Sequence, residues 1–143
     1  MNAWITEDAL DLNALLAATA DPACGALVVF TGTVRNENDD QPVTGMTYEA
    51  HVELATNVIR QIEAEVLERF PVRQCRIAHR IGALALGDES VIVVVRSGHR
   101  TEAFEAARYG IDAVKQRVPI WKHEHYVAGE SKYLDGVPLR QDD

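Results

Sequence analysis

Residues 90–127 read SVIVVVRSGHRTEAFEAARYGIDAVKQRVPIWKHEHYV. The opening run SVIVVVRS is continuously apolar over five residues, which predicts a strand buried on both faces at the centre of a sheet. Thr101 is a candidate N-cap for a helix that extends to about Arg117, with glutamates near its positive end. Pro119 begins a further strand. A buried strand, a long helix and another strand therefore follow one another here and decide the fold.

The rest of the chain alternates helices with pairs of strands. A short helix begins after Asp11 or Thr6, and a long amphipathic helix over 52–70 precedes a strand at QCRIAHRIG. Two early strands, GALVVFTGTVR at 25–35 and VTGMTYEA at 43–50, flank a polar loop, which predicts a hairpin. The order α, β-β, α, β-β, α, β indicates an α+β fold, a mostly antiparallel sheet with helices packed on one face.

Length, charge and cysteine content limit the class of protein. The 143 residues predict a single domain over 1–143, with a partly irregular C-terminal tail at 130–143. The net charge of −8 argues against a general nucleic-acid binder. No apolar run reaches the ~20 residues that span a bilayer, and the acidic N-terminus is unlike a signal peptide. Cys24 and Cys75 form no CxxC pair, so we expect free thiols and a cytoplasmic protein.

Basic residues border the apolar side of the helix that follows the buried strand. Residues 96–122 hold six basic and three acidic side chains, a local charge of +3. The predicted core stripe is Phe104, Ala107, Ile111, Val114 and Val118. Lys115 lies about 20° from Phe104 on the helix projection, and Arg108 about 40°. A lysine there either extends to water or faces a pocket, where desolvation beside other cations favours the neutral amine, a base or nucleophile.

The last predicted strand, PIWKHEHYV, carries a second lysine. A period of two places Lys122 and Glu124 on one face and Trp121, His123 and His125 on the other. Lys122 and Glu124 form either a surface ion pair or a second active lysine held by a carboxylate. The two histidines have a spacing that metal ligands use, but no nearby cysteine or carboxylate completes that face. We therefore expect no metal.

Two positions are candidates for binding an anion. SGHR, residues 97–100, follows the buried strand, so backbone N–H groups meet His99 and Arg100 at a helix N-terminus. Arg35 ends the first strand beside an acidic loop and is either a further anion contact or an ordinary exposed arginine. The chain has no GxGxxG or Walker A motif, so the sequence offers no glycine-rich nucleotide loop.

Several segments together resemble the large, catalytic subunit of molybdopterin synthase. The matching stretches are GALVVFTGTVRN, RIAHRIGALALGDESVIVVVRSGHR and TEAFEAARYGIDAVKQRVPIWKHE, which cover roughly residues 24–125. No single motif decides the resemblance. The combination is specific: the pairs HR and AF are followed by a lysine, a proline and then the pair WK.

The resemblance implies an α/β hammerhead-like fold and a sulfurtransferase. Members of this family convert cyclic pyranopterin monophosphate into molybdopterin by inserting two sulfurs as a dithiolene. Sulfur arrives as a C-terminal thiocarboxylate on a small ubiquitin-like subunit, whose tail enters the large subunit. The resemblance further implies a homodimer at the centre of a heterotetramer, with no cofactor, no nucleic acid and no membrane.

The resemblance also assigns residues. Lys115 and Lys122 match the catalytic lysines. The substrate-binding positions are Thr33, Val34, Arg35, His99, Arg100, Lys115, Lys122, His123 and Glu124. Thr33 stands where some members have lysine, so the site holds one cation fewer, and His123 replaces a basic residue that is common after the WK lysine.

Other functions are compatible with the same residues. A Schiff-base enzyme would use Lys115 on a small carbonyl compound and need no protein partner. A non-catalytic module would bind a ubiquitin-like tail and leave the pterin precursor unchanged. A persulfide on Cys24 or Cys75 is a third route, although neither lies at an evident electropositive helix start.

Overall fold

Three helices and nine strands form the described part of the chain, which is residues 3–38, 41–126 and 131–133 of a computed structural model. The helices are α1 (Leu12–Ala18), α2 (Val52–Arg69) and α3 (Arg100–Arg117). The strands are β1 (Ile5–Thr6), β2 (Ala26–Thr33), β3 (Glu37–Asn38), β4 (Gln41–Ala50), β5 (Val72–Arg80), β6 (Gly82–Ala85), β7 (Glu89–Ser97), β8 (Ile120–Tyr126) and β9 (Ser131–Tyr133). Every element predicted from the sequence is present, and the short strands β1, β3, β6 and β9 are additional.

The apolar run forms β7, which lies between β5 and β2 in a sheet of order β1-β5-β7-β2. β7 is antiparallel to both neighbours, and β1 is parallel to β5. Val93 and Val95 belong to the core that includes α2 and α3, whereas Ile92 and Val94 pack with Leu15 of α1. The α+β class and the mostly antiparallel strands are therefore confirmed. The two long helices share one face of this sheet, and the short α1 covers the other.

A second sheet is built around β4. Its order is β3-β4-β8-β9, and β6 also pairs with β4. The predicted hairpin between the strands at 25–35 and 43–50 is wrong, because β2 pairs with β7 while β4 pairs with β8. The β2–β7 register shifts between Gly32 and Thr33, and the chain then forms the small hairpin β3–β4. Thr33 therefore marks the point where the chain leaves the first sheet for the second.

The buried side of α3 consists mainly of small residues. They are Ala103, Ala106, Ala107, Gly110, Ala113 and Val114. Phe104, which the helix projection placed in the core stripe, is 62% exposed, so this part of the prediction is wrong. Phe104 lies about 120° from Gly110, near the middle of the buried side. The predicted N-cap Thr101 is also wrong, because the helix begins at Arg100 with His99 as its N-cap.

A hydrogen-bonded ion pair joins α2 to α3 at the surface. Arg117 donates from both terminal nitrogens to the Glu65 carboxylate, at 2.7 and 2.8 Å, and the Tyr109 hydroxyl donates to the same carboxylate at 2.6 Å. We call these three residues the helix triad. The hydrogen bonds from Arg117 and then from Tyr109 lower the pKa of Glu65 to about 2.

Asp11, one of the two predicted N-caps, caps the first helix: its carboxylate accepts the Ala14 N–H at 3.1 Å.

Within the described ranges, no helix is long and apolar enough to cross a membrane. The predicted irregular tail at 130–143 lies outside the described residues except for Ser131–Tyr133, which pairs with β8 as β9.

Candidate active site

A cavity of about 240 Å³ lies where the end of β2 meets β4, β8 and α3. Residues 30–35 form one wall, and β4 contributes Val43, Met46 and Tyr48. Among the described residues that line it, Arg35, Lys115 and Lys122 are cations and Glu37 is a carboxylate. The cavity is therefore cationic within a chain whose net charge is −8.

Lys115 is only 4% exposed, although it lies on the same side of α3 as the exposed Phe104. The two residues differ by about 20° on the helix projection, but Lys115 is some 16 Å further along the axis. At that level Lys115 lines the cavity together with residues of β2, β4 and β8. Of the two alternatives for Lys115, the structure therefore shows the pocket rather than extension into bulk water.

β8 presents Lys122, Glu124 and Tyr126 on one face, as a strand period of two requires. Lys122 Nζ lies 3.3 Å from Glu124 Oε1, and the Tyr126 hydroxyl donates to the other carboxylate oxygen, Oε2. We call these three residues the β8 triad. Lys122 is 4% and Glu124 1% exposed, so the pair is buried and is not the surface ion pair that the sequence left open. Sequence reasoning missed Tyr126, although its spacing from Glu124 was the available signal.

A buried histidine lies behind the wall that Lys122 shares with a tyrosine of β4. Tyr48 pairs with Lys122 across the two strands and lines the cavity. The His79 ring lies edge-on to the Tyr48 ring, with 5.1 Å between their centroids. His79 Nδ1 is 2.8 Å from the Arg80 carbonyl oxygen, so Nδ1 carries the proton and donates. His79 Nε2 is then an acceptor, and it finds no hydrogen-bond partner among the residues that the structure describes.

This histidine is neutral at physiological pH. His79 is completely buried, and burial lowers its pKa to about 4. The Arg80 carbonyl opposes that shift, whereas the positive charge of Lys115 adds to it. The sequence gave no indication that the His79 ring lies near Lys115.

The end of β2 supplies the remaining wall. Gly32 is required there, because a Cβ atom would lie 2.9 Å from Val91 Cγ1. Val34 is anchored by its backbone: its N–H donates to the Asp88 carbonyl at 3.0 Å, and its carbonyl accepts the Gly87 N–H at 2.8 Å. Thr33 and Arg35 on either side of it are exposed at the cavity wall. The structure therefore brings Thr33, Val34 and Arg35 together with both lysines.

Three predicted binding residues lie elsewhere in this chain. His99 and Arg100 are exposed at the start of α3. The helix rises about 22 Å between Arg100 and Lys115, so the anion site predicted there is not part of the cavity within one chain. His123 lies on the opposite face of β8 from Lys122, with its ring centroid 4.9 Å from that of His125. Glu124 does not line the cavity itself but contacts Lys122, which does.

Among the described residues, neither a cysteine nor a cluster of metal-ligating side chains lines this cavity. Cys24 and Cys75 are both free, and burial raises the pKa of the Cys75 thiol to about 12, which makes it a poor nucleophile. Over the described ranges, no three His, Cys, Asp or Glu side chains come together in a way that could hold a metal ion.

Comparison with known proteins gives consistent matches. The family described as MoaE protein matches residues 5–117. A Nostoc protein named molybdopterin synthase catalytic subunit is 43% identical over 131 residues, covering 91% of this chain and 79% of the relative. The Bos taurus protein of the same name is 38% identical over 128 residues, covering 90% and 68%. The crystal structure of molybdopterin synthase from Staphylococcus aureus superposes with a TM-score of 0.87 at 34% identity, covering 93% and 96%.

Proposed function

Because the chain belongs to the MoaE protein family, we propose that it is the catalytic subunit of a molybdopterin synthase, an enzyme of molybdenum cofactor biosynthesis. The family resemblance seen in the sequence is thereby confirmed. In the proposed reaction, sulfur passes from the C-terminal thiocarboxylate of a small ubiquitin-like subunit to cyclic pyranopterin monophosphate and forms the molybdopterin dithiolene. The free thiols suit a cytoplasmic location.

One observation carries the proposal: two of the chain's three lysines are buried around a single cavity. Lysine is almost never buried unless it is paired, because its ammonium group loses hydration. Here Lys115 and Lys122 are placed beside Arg35, against their mutual repulsion. Such an arrangement is expected where a protein must bind anions, because cations that converge on one cavity attract them.

Both reactants carry negative charge, the substrate on its phosphate and the donor on its thiocarboxylate. Two such anions repel each other in water. A pocket with three cations offsets this repulsion and holds both reactants in the orientation for attack, the two effects that contribute most in many enzymes.

We assign Lys115 the main catalytic role. As the thiocarboxylate sulfur attacks the pterin side chain, its amine would stabilise the developing charge and act as general acid–base. The same amine would then attack the thioester carbonyl that joins the small subunit to the pterin, so that the acyl group passes to nitrogen, the acyl C–S bond breaks and the sulfur stays on the pterin as a thiolate. Because the donor brings its own sulfur, this subunit needs no cysteine nucleophile, which agrees with the raised pKa of Cys75. Lys122 would support the reaction, with Glu124 orienting its amine.

The remaining predicted residues would bind substrate. Thr33, Val34 and Arg35 line the cavity and would hold the phosphate or the pterin. His99 and Arg100 lie a helix length from Lys115, so they can touch the same substrate only if a second copy of the chain presents them. That requirement agrees with the proposed homodimer at the centre of a heterotetramer. A role for His123 would require the substrate to reach the face of β8 opposite to Lys122.

The direct test is reconstitution. The chain is mixed with a thiocarboxylated partner and the pterin precursor, and dithiolene formation is measured. We expect Lys115→Ala to lower turnover by about 10²-fold or more, since general acid–base groups contribute that much. Lys115→Arg retains the positive charge but has no amine that can exchange a proton. It therefore separates charge stabilisation from general acid–base catalysis.

Arg117→Ala is the matched control, because it removes a cation from the same helix outside the cavity. Its turnover should stay near that of the unchanged protein. Near-normal turnover by Lys115→Ala would remove the assignment of Lys115. Partner binding without any dithiolene would instead favour a non-catalytic module, and borohydride trapping of a carbonyl substrate on Lys115 without the partner would favour a Schiff-base enzyme.

A further inference from the structure

The β8 triad contains one residue that the proposed mechanism leaves without a role. Tyr126 is two residues beyond Glu124, and its side chain is half-buried on the same face of β8. The Tyr126 hydroxyl donates to Glu124 Oε2, while Glu124 Oε1 faces Lys122. The two oxygens of one carboxylate are thus divided between an uncharged donor and the cation of the cavity.

This division fixes the orientation of the carboxylate. Glu124 is 1% exposed, so it cannot turn its second oxygen to solvent. A buried carboxylate oxygen that loses its donor carries a desolvation penalty, which drives the group to rotate toward another donor. With Oε2 held by Tyr126, such a rotation is blocked, and Oε1 stays 3.3 Å from the Lys122 amine.

The pairing of β8 with β4 shows where the β8 triad lies relative to the cavity. Met46 of β4 is the cross-strand partner of Glu124, and Tyr48 is the partner of Lys122. Both β4 residues line the cavity, as does Lys122, so the triad extends away from the cavity from Lys122 to Glu124 and Tyr126. Tyr126 pairs with Val43, and the register of the two strands shifts between this pair and the pair of His125 with Gly45.

We propose that Tyr126 is a positioning residue of the active site, which holds Glu124 so that the carboxylate keeps the Lys122 amine at the cavity. Its bearing on catalysis rests on the proposed function, whereas the positioning of the amine does not. Other charged or titratable groups share the cavity with Lys122, namely Lys115 of α3, Tyr48 of β4, and Arg35 and Glu37 after β2. The test therefore changes one hydroxyl and leaves all of these in place.

The variant is Tyr126→Phe, and the helix triad provides its matched control. Tyr109→Phe removes a tyrosine hydroxyl that also donates to a glutamate paired with a cation, but none of these three residues lines the cavity. Circular dichroism and thermal melting check that both variants fold. The first readout is acylation by dilute acetic anhydride, with the Lys122-to-Lys115 labelling ratio measured by mass spectrometry. A chain with three lysines gives a simple peptide map.

We expect Tyr126→Phe to raise the labelling of Lys122 relative to Lys115 by about threefold or more, because a carboxylate freed from its anchor pairs less well with the ammonium. Turnover in the reconstituted synthase should fall about three- to tenfold in kcat with KM nearly unchanged, as for a group that matters in the chemical step. Tyr109→Phe should change neither quantity.

A second background shows whether Tyr126 acts through Glu124. In Glu124→Gln, adding Tyr126→Phe should change neither labelling nor kcat further. Equal effects of Tyr126→Phe in both backgrounds, or an unchanged labelling ratio in the otherwise native chain, would overturn the proposal. The labelling needs no substrate, so a shifted ratio in a protein that makes no dithiolene would contradict the proposed function and leave the positioning role standing.

Discussion

The β8 triad and the helix triad each combine a tyrosine, a glutamate and a basic residue, but in different surroundings. In each, a tyrosine hydroxyl donates to a glutamate that also binds a cation. The side chains of Lys122 and Glu124 are 5% and 2% exposed, whereas those of Arg117 and Glu65 are 36% and 34% exposed. The chemistry is shared, and the environment differs.

The difference in burial changes what the pair does for the protein. An exposed ion pair is solvated in both the folded and the unfolded states, so it stabilises the fold by only about 0–1 kcal/mol. A buried pair first loses its hydration, and its mutual attraction does little more than offset that loss. Burial of the β8 triad is therefore weak evidence for a structural role and is better explained by the chemistry of the cavity.

Removing the two carboxylates gives the largest expected contrast. Glu124→Ala leaves Lys122 buried beside Lys115 without its carboxylate, and we expect the free energy of unfolding to fall by about 3–5 kcal/mol. Glu65→Ala leaves Arg117 free to reach water and should cost about 1 kcal/mol. Urea denaturation of both variants measures the difference. Equal losses would mean that water in the cavity solvates Lys122 as well as bulk water solvates Arg117.

Acid should remove the stabilising contributions of His79, behind the cavity, and of Glu65, in the helix triad, in different pH ranges. His79 has a pKa of about 4 in the folded protein, below the ordinary value near 6.5, so the unfolded chain binds more protons between these values. The contribution of neutral His79 to the free energy of unfolding is complete above about pH 6.5. It is lost as pH falls toward 4, and the loss is on the order of 3 kcal/mol. Glu65, with its pKa lowered to about 2, retains its contribution until pH falls below the ordinary glutamate value.

His79→Asn separates these ranges, because its amide can still donate to the Arg80 carbonyl but does not titrate. The free energy of unfolding is measured at several values between about pH 7 and 4. The decline in that interval should be smaller in His79→Asn than in the unchanged protein. An identical decline in both would show that groups other than His79 cause the acid sensitivity.

The sequence predicted the elements of the fold better than their pairing. The uninterrupted apolar run of β7 and the period of four in α2 are local signals, and both elements formed where expected. The hairpin between 25–35 and 43–50 failed, because partner choice depends on the register shift after Gly32 and on strands far away in the chain. Loop composition contains neither kind of information.

The site shows the same limit. Alternation placed Lys122 and Glu124 on one face, and the helix projection placed Lys115 close to Phe104. A projection omits the position along the axis, so it could not show that one end of α3 is covered and the other exposed. Hence Phe104 was wrongly assigned to the core. Nothing in the sequence indicated that His79 lies near Lys115, and Tyr126 was missed although its spacing from Glu124 was an available signal.

The salt dependence of stability should show the smallest difference between the two triads. It measures most directly how well solvent and ions reach each of them. Arg117→Ala should lower the free energy of unfolding by about 0.5 kcal/mol at low ionic strength and by almost nothing near 1 M NaCl, where the Debye length is about 3 Å. The loss caused by Glu124→Ala should be the same at both concentrations, since ions do not enter between buried partners. A salt dependence as large as that of Arg117→Ala would mean that ions reach Lys122 freely. The two triads would then differ in position but not in electrostatics, and the cavity could not hold two anions together by excluding solvent.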